Sequence, residues 1–500
     1  MNVYLMARDR DFGPPSDLPP NRETLIDDLG LNALFAAMAG GDKFIFDVAK
    51  SALLAGLRND ADTILYRQDV LRDCLSHSAL VRATYALAVE AIEKEKTSFY
   101  FSFLSRSPDW ILRRSIDVMR MFADMLERLK GIAATREGHF ASEGFEAFFA
   151  RLDGELGEEY LARIRERIDG LKFRDGILIS AELGRGNKGA HYRLRRGDEV
   201  KRPWWKRLLA RRKPGLGFSI NERDESGARA LSELTNRGIN AVADALARST
   251  DHILGFWNTL RTELGFYVGC MNLYETLVRK GEPASFPHPA RDGRRLSGRG
   301  LYDACLALSR KERVVGNDVN ADGKDFVIIT GANQGGKTTF LRALGLSQLM
   351  MQSGMFVPAE VFRAEVHDSL FTHFKREEDA SMKSGKLDEE LARMSDIVDR
   401  LTPRSLLLLN ESFAATNERE GSEIARQIMS ALAEKRIRVF YVTHLYEFAR
   451  GFFEQKAGSG VFLRAERQTN GVRTFKITEG EPLQTGYGED LYNKIFGPVP

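Results

Sequence analysis

Residues Phe326 to Thr339 read FVIITGANQGGKTT, and the fold of the chain follows from this stretch. The apolar and β-branched residues from Val327 to Thr330 predict a buried parallel strand. Gly331-x-x-x-x-Gly336-Lys337-Thr338 follows at once, with the spacing of a glycine-rich phosphate-binding loop. Such a loop opens a helix, and apolar residues recur from Phe340 to Leu349 as a packed helix requires. The stretch therefore predicts a strand, a phosphate loop and a helix within an α/β domain.

The residue types of the loop suit a nucleoside triphosphate. Glycines let the backbone turn tightly and bring bare N–H groups against phosphate oxygens. Lys337 is placed to reach the β- and γ-phosphates, the Thr338 hydroxyl can bind Mg²⁺, and the positive end of the helix faces the same anion. The alternative is a glycine-rich turn that binds no nucleotide. The predicted ligands are ATP and Mg²⁺, and the predicted binding residues are Gly331, Ala332, Asn333, Gln334, Gly335, Gly336, Lys337, Thr338 and Thr339.

Two further apolar runs end in polar residues of the kind that a phosphate-loop ATPase needs. Leu406 to Leu409 leads into Asn410 and Glu411, where such ATPases place an acidic pair that holds Mg²⁺ and polarises water. Asn410 is neutral and adds no charge to a metal site, so Glu411 is left as the candidate base. Val439 to Thr443 leads to His444, at the position of a γ-phosphate sensor, although a lone histidine at a strand end is also a common structural residue. The predicted catalytic residues are Glu411 and His444, and the predicted metal ligands are Thr338 and Asn410.

The composition narrows the class of protein. At 500 residues the chain is too long for one core, and 43% hydrophobic with 29% charged residues is typical of a globular protein. The net charge of +3 does not indicate a polyanionic partner, so any nucleic-acid signal must be local. Three scattered cysteines predict a reducing compartment and no metal site. With neither a signal peptide nor an apolar run of membrane-spanning length, we expect a cytoplasmic protein.

The residues before the phosphate loop have helical periodicity. Apolar residues recur at helical spacing from Leu31 to Met38. Two long, charged helical stretches, residues 109–171 and 224–281, flank two strand-like runs around a glycine-rich turn. This order predicts an antiparallel hairpin arm with a small tip. A segment rich in Pro, Gly and Arg at residues 281–300 predicts a linker into the ATPase domain.

The predicted tip carries a basic segment, KRPWWKRLLARRK, at residues 201–213. Seven of its thirteen residues are basic, none is acidic, and Trp204 and Trp205 lie among them. These are the side chains that contact with a nucleic-acid backbone needs. A solvated loop and an amphipathic contact with an anionic membrane are the alternatives. The candidate DNA-binding residues are Lys201, Arg202, Lys206, Arg207, Arg211, Arg212 and Lys213.

Taken together, the motifs resemble the ATPase domain of the MutS family, from about residue 316 to residue 497. The resemblance rests on Gly316-Asn317-Asp318, Thr330 to Thr339, Asp368 to His373 with Glu378 and Asp379, Asn410-Glu411, Thr443-His444 and Gly486-Tyr487-Gly488. It implies a multidomain chain with an all-α core domain at residues 1–98 and lever helices at 99–285. A basic, clamp-like tip is expected at about 172–222, and an α/β phosphate-loop ATPase domain of ABC type at 286–500.

The same resemblance implies a homodimer that closes over DNA, in which each ATP site takes a signature segment from the partner chain. Ser384 and Gly385 stand at the position of that segment, with Ser381 as the alternative. Asn410 stands where the family has Asp, which predicts weaker Mg²⁺ binding and slow turnover. The family's mismatch-reading domain has no counterpart before residue 20, so direct mismatch reading is not expected.

We therefore expect a DNA-binding ATPase of the DNA-repair type, without a membrane partner, whose ATP cycle is coupled to DNA through the lever helices. The alternative is a nucleotide-gated scaffold that hardly hydrolyses ATP and recruits a protein partner through its arms. A third interpretation is a membrane-surface ATPase that binds lipid through the basic segment.

Overall fold

The structure is a computed structural model that describes residues 1–13, 18–99, 107–135, 140–173, 176–195, 219–221, 223–291, 293–376, 385–467 and 473–483. The chain divides into two compact units. The first comprises Met1–Val3, Ala83–His139 and Phe148–Arg261, and the second comprises Tyr4–Arg82, Phe140–Ala147 and Thr262–Pro500. Each unit is discontinuous in sequence, and the three-part division expected from the sequence stays a prediction.

Helices dominate the part of the chain before the phosphate loop. Side-chain caps fix the first turns of helices both before and after the loop. Before it, Asp60 Oδ1 accepts from the Thr63 N–H at 2.8 Å, and after it, Asn417 Oδ1 accepts from the Glu420 N–H at 3.0 Å. The described helices are α1 (Arg22–Leu29), α2 (Leu31–Ala39), α3 (Lys43–Ala55), α4 (Ala61–Ser76), α5 (Ser78–Phe99), α6 (Pro108–Ala134), α7 (Glu143–Glu155), α8 (Glu158–Gly170), α9 (Glu225–Arg279), α10 (Ala304–Ser309), α11 (Lys337–Gln352), α12 (Lys386–Val398), α13 (Glu418–Glu434) and α14 (Tyr446–Lys456).

The strands form one hairpin in the first unit and two sheets in the second. The described strands are β1 (Leu178–Leu183), β2 (Gly189–Arg195), β3 (His288–Ala290), β4 (Leu296–Leu301), β5 (Asn317–Asn320), β6 (Phe326–Thr330), β7 (Val361–Glu365), β8 (Ser369–Phe374), β9 (Ser405–Asn410), β10 (Arg438–Val442), β11 (Gly460–Arg467) and β12 (Arg473–Glu479).

In the first unit, helices α6, α8 and α9 share an apolar cluster, whose buried members are Leu112, Ile116, Met119, Ile168, Ile239 and Ala243. The antiparallel β1–β2 hairpin confirms the two short strands that were predicted around a glycine-rich turn. The basic segment at residues 201–213 lies outside the described residues. No described helix combines the length and apolar character needed to cross a membrane.

In the second unit, a six-stranded sheet positions the phosphate loop. Its strand order is β12-β11-β6-β10-β9-β8, parallel except for the antiparallel pair β11–β12. The register places Asn410 opposite Val442 and Val442 opposite Ile329. The carboxyl ends of β6, β9 and β10 therefore meet at one edge, as expected for a parallel α/β sheet. A separate four-stranded sheet has the order β3-β7-β4-β5.

Helix α11, which follows the phosphate loop, is packed between this sheet and helix α1. A Cβ on Gly345 would lie 2.8 Å from Leu29 Cδ2 and 2.9 Å from Leu408 Cδ1, so any larger residue at that crossing would require these leucine side chains to shift. At the far end, Asn59 Nδ2 donates to Gln352 O at 2.8 Å. Both faces and the C-terminal end of the helix are thus fixed by the rest of the second unit.

Candidate functional site

The loop between β6 and α11 takes a conformation that glycine adopts most easily. Gly331 has a φ of +116° and Gly336 a φ of +92°, both in the left-handed region. The loop also packs closely on β11. A Cβ on Gly331 would lie 2.9 Å from the backbone N of Ala465, and one on Gly335 would lie 2.8 Å from Ala465 Cβ. Torsion angle and space therefore both require the glycines that the motif contains.

Helix α11 begins directly after the loop with an N-terminus suited to an anion. Gly336 is its N-cap, and no side chain caps the first turn. The first N–H groups of a helix have no partner within the helix, and they carry the positive end of its dipole. A 16-residue helix that lacks a side-chain cap beside a glycine loop is what phosphate binding requires.

The Lys337 side chain lies inside the loop, with only 4% of the residue exposed. Its Nζ donates to Gly331 O and to Ala332 O, both at 2.8 Å. Burial lowers the pKa of Lys337 to about 8, and the neighbouring Glu411 carboxylate opposes that shift. The ammonium group is thus held at the loop by carbonyl oxygens.

Thr338 and Asn410 come together from α11 and β9. Thr338 Oγ1 donates to Asn410 Oδ1 at 3.0 Å, and the Lys375 N–H donates to Asn410 O at 2.9 Å. A hydroxyl and an amide oxygen are hard, neutral ligands that suit Mg²⁺ when phosphate oxygens supply the charge. The uncapped helix and the oxygen pair beside it therefore fit a Mg²⁺-bound nucleotide.

Glu411 and His444 form the polar pair at the ends of β9 and β10. Glu411 has a φ of +54°, which is rare outside glycine, and its N–H donates to Val442 O at 2.8 Å. His444 Nε2 lies 3.3 Å from Glu411 Oε1. This hydrogen bond lowers the pKa of Glu411, although burial acts in the opposite direction. Glu411 is therefore held in its ionised form, as a general base needs.

The same ring nitrogen of His444 also lies 3.3 Å from Lys337 Nζ. A protonated Nε2 donates to Glu411, whereas a bare Nε2 accepts from Lys337, so one tautomer cannot make both bonds. His444 is thus placed between the cation and the carboxylate of the site.

A β-hairpin outside the predicted motifs, formed by β11 and β12, covers the phosphate loop. Phe475 on β12 is 47% exposed and has a φ of +58°, an outlier for an aromatic residue. Asn317 Nδ2 donates to Phe475 O at 3.2 Å, and Arg473 Nη1 donates to Gln334 Oε1 at 2.6 Å. Nothing in the sequence of β12 marks Phe475, since its exposure and its position at the loop are visible only in the structure.

The structure brings together the predicted loop residues with Asn410, Glu411 and His444. The remaining predicted site residues are not among the residues that the structure brings together there. Gly385 is the N-cap of α12 and has an extended conformation. The other predicted residues lie outside the described part of the chain: Lys201, Arg202, Lys206, Arg207, Arg211, Arg212, Lys213, Ser381 and Ser384, with the family motif positions Glu378, Asp379 and Gly486 to Gly488.

Two family models match the chain. The model described as the MutS2 N-terminal domain matches residues 59–280, and the model described as MutS domain V matches residues 327–498. The second match contains the phosphate loop, Asn410, Glu411 and His444.

Among similar proteins, the DNA mismatch repair protein MutS of Thermotoga sp. (strain RQ2) is 33% identical over 172 residues, which are 34% of this chain and 22% of that protein. Endonuclease MutS2 of Lacticaseibacillus casei (strain BL23) is 35% identical over 172 residues, 34% of this chain and 21% of that protein. MutS protein homolog 4 of Homo sapiens is 29% identical over 196 residues, which are 38% of this chain and 21% of that protein. The chain thus aligns with about a fifth of the length of these relatives.

Proposed function

Since this chain belongs to the MutS family, we propose that it binds and hydrolyses ATP and couples that cycle to DNA binding. The proposal is carried by one observation. Lys337, the pair Thr338–Asn410 and the pair Glu411–His444 converge on a single phosphate loop at the carboxyl edge of the sheet. A cation, two oxygen ligands and an ionised carboxylate are the groups that phosphoryl transfer to water requires.

Each side chain has a role in the proposed reaction. Lys337 exchanges its bonds to the loop carbonyls for bonds to the β- and γ-phosphates. Thr338 and Asn410 would hold Mg²⁺, which supplies positive charge to the phosphate oxygens when bound. Glu411 orients the attacking water and accepts its proton, while His444 lies where it can contact the γ-phosphate. Because Asn410 is neutral, we propose weak metal binding and slow turnover.

The proposed partners are DNA and a second copy of the chain. The names of the relatives, which include a DNA mismatch repair protein and an endonuclease, support DNA as the ligand and a role in DNA repair. The basic segment at residues 201–213 is the proposed contact, and helices in residues 99–285 are the proposed levers. In the homodimer, Ser384 and Gly385 would complete the partner's ATP site. None of the three cysteines forms a disulfide, which supports a cytoplasmic location.

The test is steady-state ATP turnover of the purified chain with plain, mismatched and branched duplex DNA. We expect turnover that at least one DNA structure changes, and Lys337→Ala should abolish it. DNA affinity should also differ between the ATP, ADP and nucleotide-free forms, since coupling between two ligands is reciprocal. Equal DNA affinity in all three forms would contradict the proposal.

A second candidate function rests on Asn410. A neutral residue at this position favours a nucleotide-gated scaffold that binds ATP, hardly hydrolyses it and recruits a protein partner. Asn410→Asp restores the negative charge and should raise both Mg²⁺ affinity and turnover, whereas Asn410→Ala should lower both. Near-zero turnover in the natural chain, with clear turnover in Asn410→Asp, would favour the scaffold. Substantial turnover in the natural chain would exclude it.

A further inference from the structure

The turn that follows β9 has a backbone that needs external support. Glu411 has a φ of +54° and Phe413 a φ of +64°, so two residues with side chains lie in the left-handed region within three positions. Such residues cost free energy and persist where surrounding contacts hold them. Between them, Ser412 is fully buried. The direction in which Glu411 projects therefore depends on whatever fixes Ser412 and Phe413.

Helix α12 supplies one support. The Phe413 N–H donates to Glu390 Oε2 at 3.0 Å, and the residue Glu390 is only 3% exposed. Strand β10 supplies another, since Tyr441 Oη donates to Ser412 O at 2.6 Å. A buried carboxylate that accepts from a backbone N–H makes a strong hydrogen bond, and its loss leaves that N–H unsatisfied.

His373 on β8 supplies the third support. It is fully buried, and burial lowers its pKa to about 4, so the ring is neutral near pH 7. Its Nε2 lies 3.1 Å from the carbonyl oxygen of Glu390, which can only accept, so Nε2 carries the proton. The Ser412 hydroxyl lies 2.7 Å from the bare Nδ1 and 2.8 Å from the His373 carbonyl oxygen, and it can donate its single proton to either acceptor. The His373 ring also stacks on the Phe413 ring at a centroid distance of 5.7 Å.

These contacts form one closed network. Glu390 holds the turn through its side chain and holds His373 through its backbone, while His373 holds Ser412. Within the described part of the chain, neither Glu390 nor His373 forms a hydrogen bond with Lys337, Thr338 or His444, so both act on the site through the turn.

We propose that Glu390 and His373 are positioning residues that fix the turn carrying Glu411, and thereby set the rate of ATP hydrolysis without taking part in nucleotide binding. The inference rests on the proposed ATPase function. It extends that function to helix α12, which begins directly after Gly385. A movement of this helix would reach Glu411 through the Glu390–Phe413 hydrogen bond.

The test compares Glu390→Ala with Glu390→Gln, since a glutamine oxygen can still accept from the Phe413 N–H. Asp388→Ala is the matched control, because Asp388 is exposed in the first turn of the same helix. We expect Glu390→Ala to lower kcat about tenfold or more with an ATP dissociation constant within about twofold of the natural value. Glu390→Gln and Asp388→Ala should stay close to the natural kcat. Ser412→Ala, which removes only a hydroxyl, should lower kcat in the same direction and serves if Glu390→Ala does not fold.

Hydrogen exchange of the peptide that contains Glu411 to Phe413 gives a readout that does not depend on turnover. Exchange there should be faster in Glu390→Ala and in Ser412→Ala than in Asp388→Ala. If folded Glu390→Ala keeps the natural kcat and exchange rate, the inference is wrong. If the natural chain binds ATP but shows no turnover, the proposed ATPase function fails, and the exchange data alone decide whether Glu390 positions the turn.

Discussion

His444 Nε2 and Glu411 Oε1 lie 3.3 Å apart, across the ends of two neighbouring parallel strands. The bond lowers the pKa of Glu411 and keeps the carboxylate ionised beside the phosphate loop. His444 thus contacts the candidate base before any γ-phosphate is bound, and the contact favours the ionised form of that carboxyl group. Removal of the Glu411–His444 hydrogen bond should therefore change how ATP turnover depends on pH.

His444→Ala should move the acid limb of the pH–rate profile to higher pH. Without the His444 hydrogen bond, the pKa of Glu411 loses its largest lowering cause, while burial still raises it. Turnover requires the ionised carboxylate, so more of the activity is lost on acidification. The measurement is kcat from pH 4 to pH 8 in the natural chain, in His444→Ala and in the exposed-site control His288→Ala. Coincident acid limbs in all three would show that His444 does not tune Glu411.

ATP affinity should fall above about pH 8, because burial lowers the pKa of Lys337 to about 8. Above that pH the free protein loses the cation that the phosphates need, so the dissociation constant should rise by up to about tenfold per pH unit. Lys337→Arg keeps its charge at these pH values and should show no such rise between pH 7 and pH 9.5. An equal rise in Lys337→Arg would assign the effect to another group.

Phe475 is predicted to stack on the nucleotide base. Its ring is exposed on β12, and its backbone lies against Gly336 and Asn317 at the phosphate loop. Stacking between a base and an aromatic ring contributes about 1–3 kcal/mol. Phe475→Ala should weaken ATP binding by about that amount and leave tripolyphosphate binding unchanged, whereas Phe475→Tyr should bind ATP normally. Equal losses for ATP and tripolyphosphate would indicate a damaged loop instead.

The strand, loop and helix from Phe326 to Gln352 could be predicted because the whole motif is local in sequence. Asn410, Glu411 and His444 could also be placed, since parallel strands end at the same edge. The positions of Phe475 and Glu390 at the site could not be predicted from the sequence. Phe475 on β12 bonds to Asn317 on β5, which lies 158 positions earlier in the chain and in the other sheet of the second unit. Glu390 looks like any charged residue of an amphipathic helix until Phe413 is seen to need its carboxylate.

The buried carboxyl group of Glu263 should make the stability of the second unit depend on pH. This fully buried carboxylate on α9 accepts from the N–H groups of Leu5 and Phe12, both at 2.6 Å, and from that of Met6 at 3.3 Å. Burial raises its pKa to about 7, against a usual value near 4.5, although the three N–H donors act in the opposite direction. Between about pH 4.5 and pH 7, Glu263 is therefore protonated in the folded chain and ionised in the unfolded chain. The free energy of unfolding should fall as pH rises between about 4.5 and 7, by up to about 1.4 kcal/mol per pH unit from this group.

Glu263→Gln carries no titratable group at this position, so its stability should lack that part of the slope. The measurement is urea unfolding at several pH values from 5 to 8. Glu275→Gln, a substitution at a half-exposed carboxylate on the same helix, is the control and should keep the natural slope. Because Glu263 clamps the segment from Leu5 to Phe12, amide exchange in that segment should also quicken as pH rises, beyond the intrinsic increase. If Glu263→Gln and the natural chain have the same slope, then Glu263 is ionised throughout and the three N–H donors outweigh its burial.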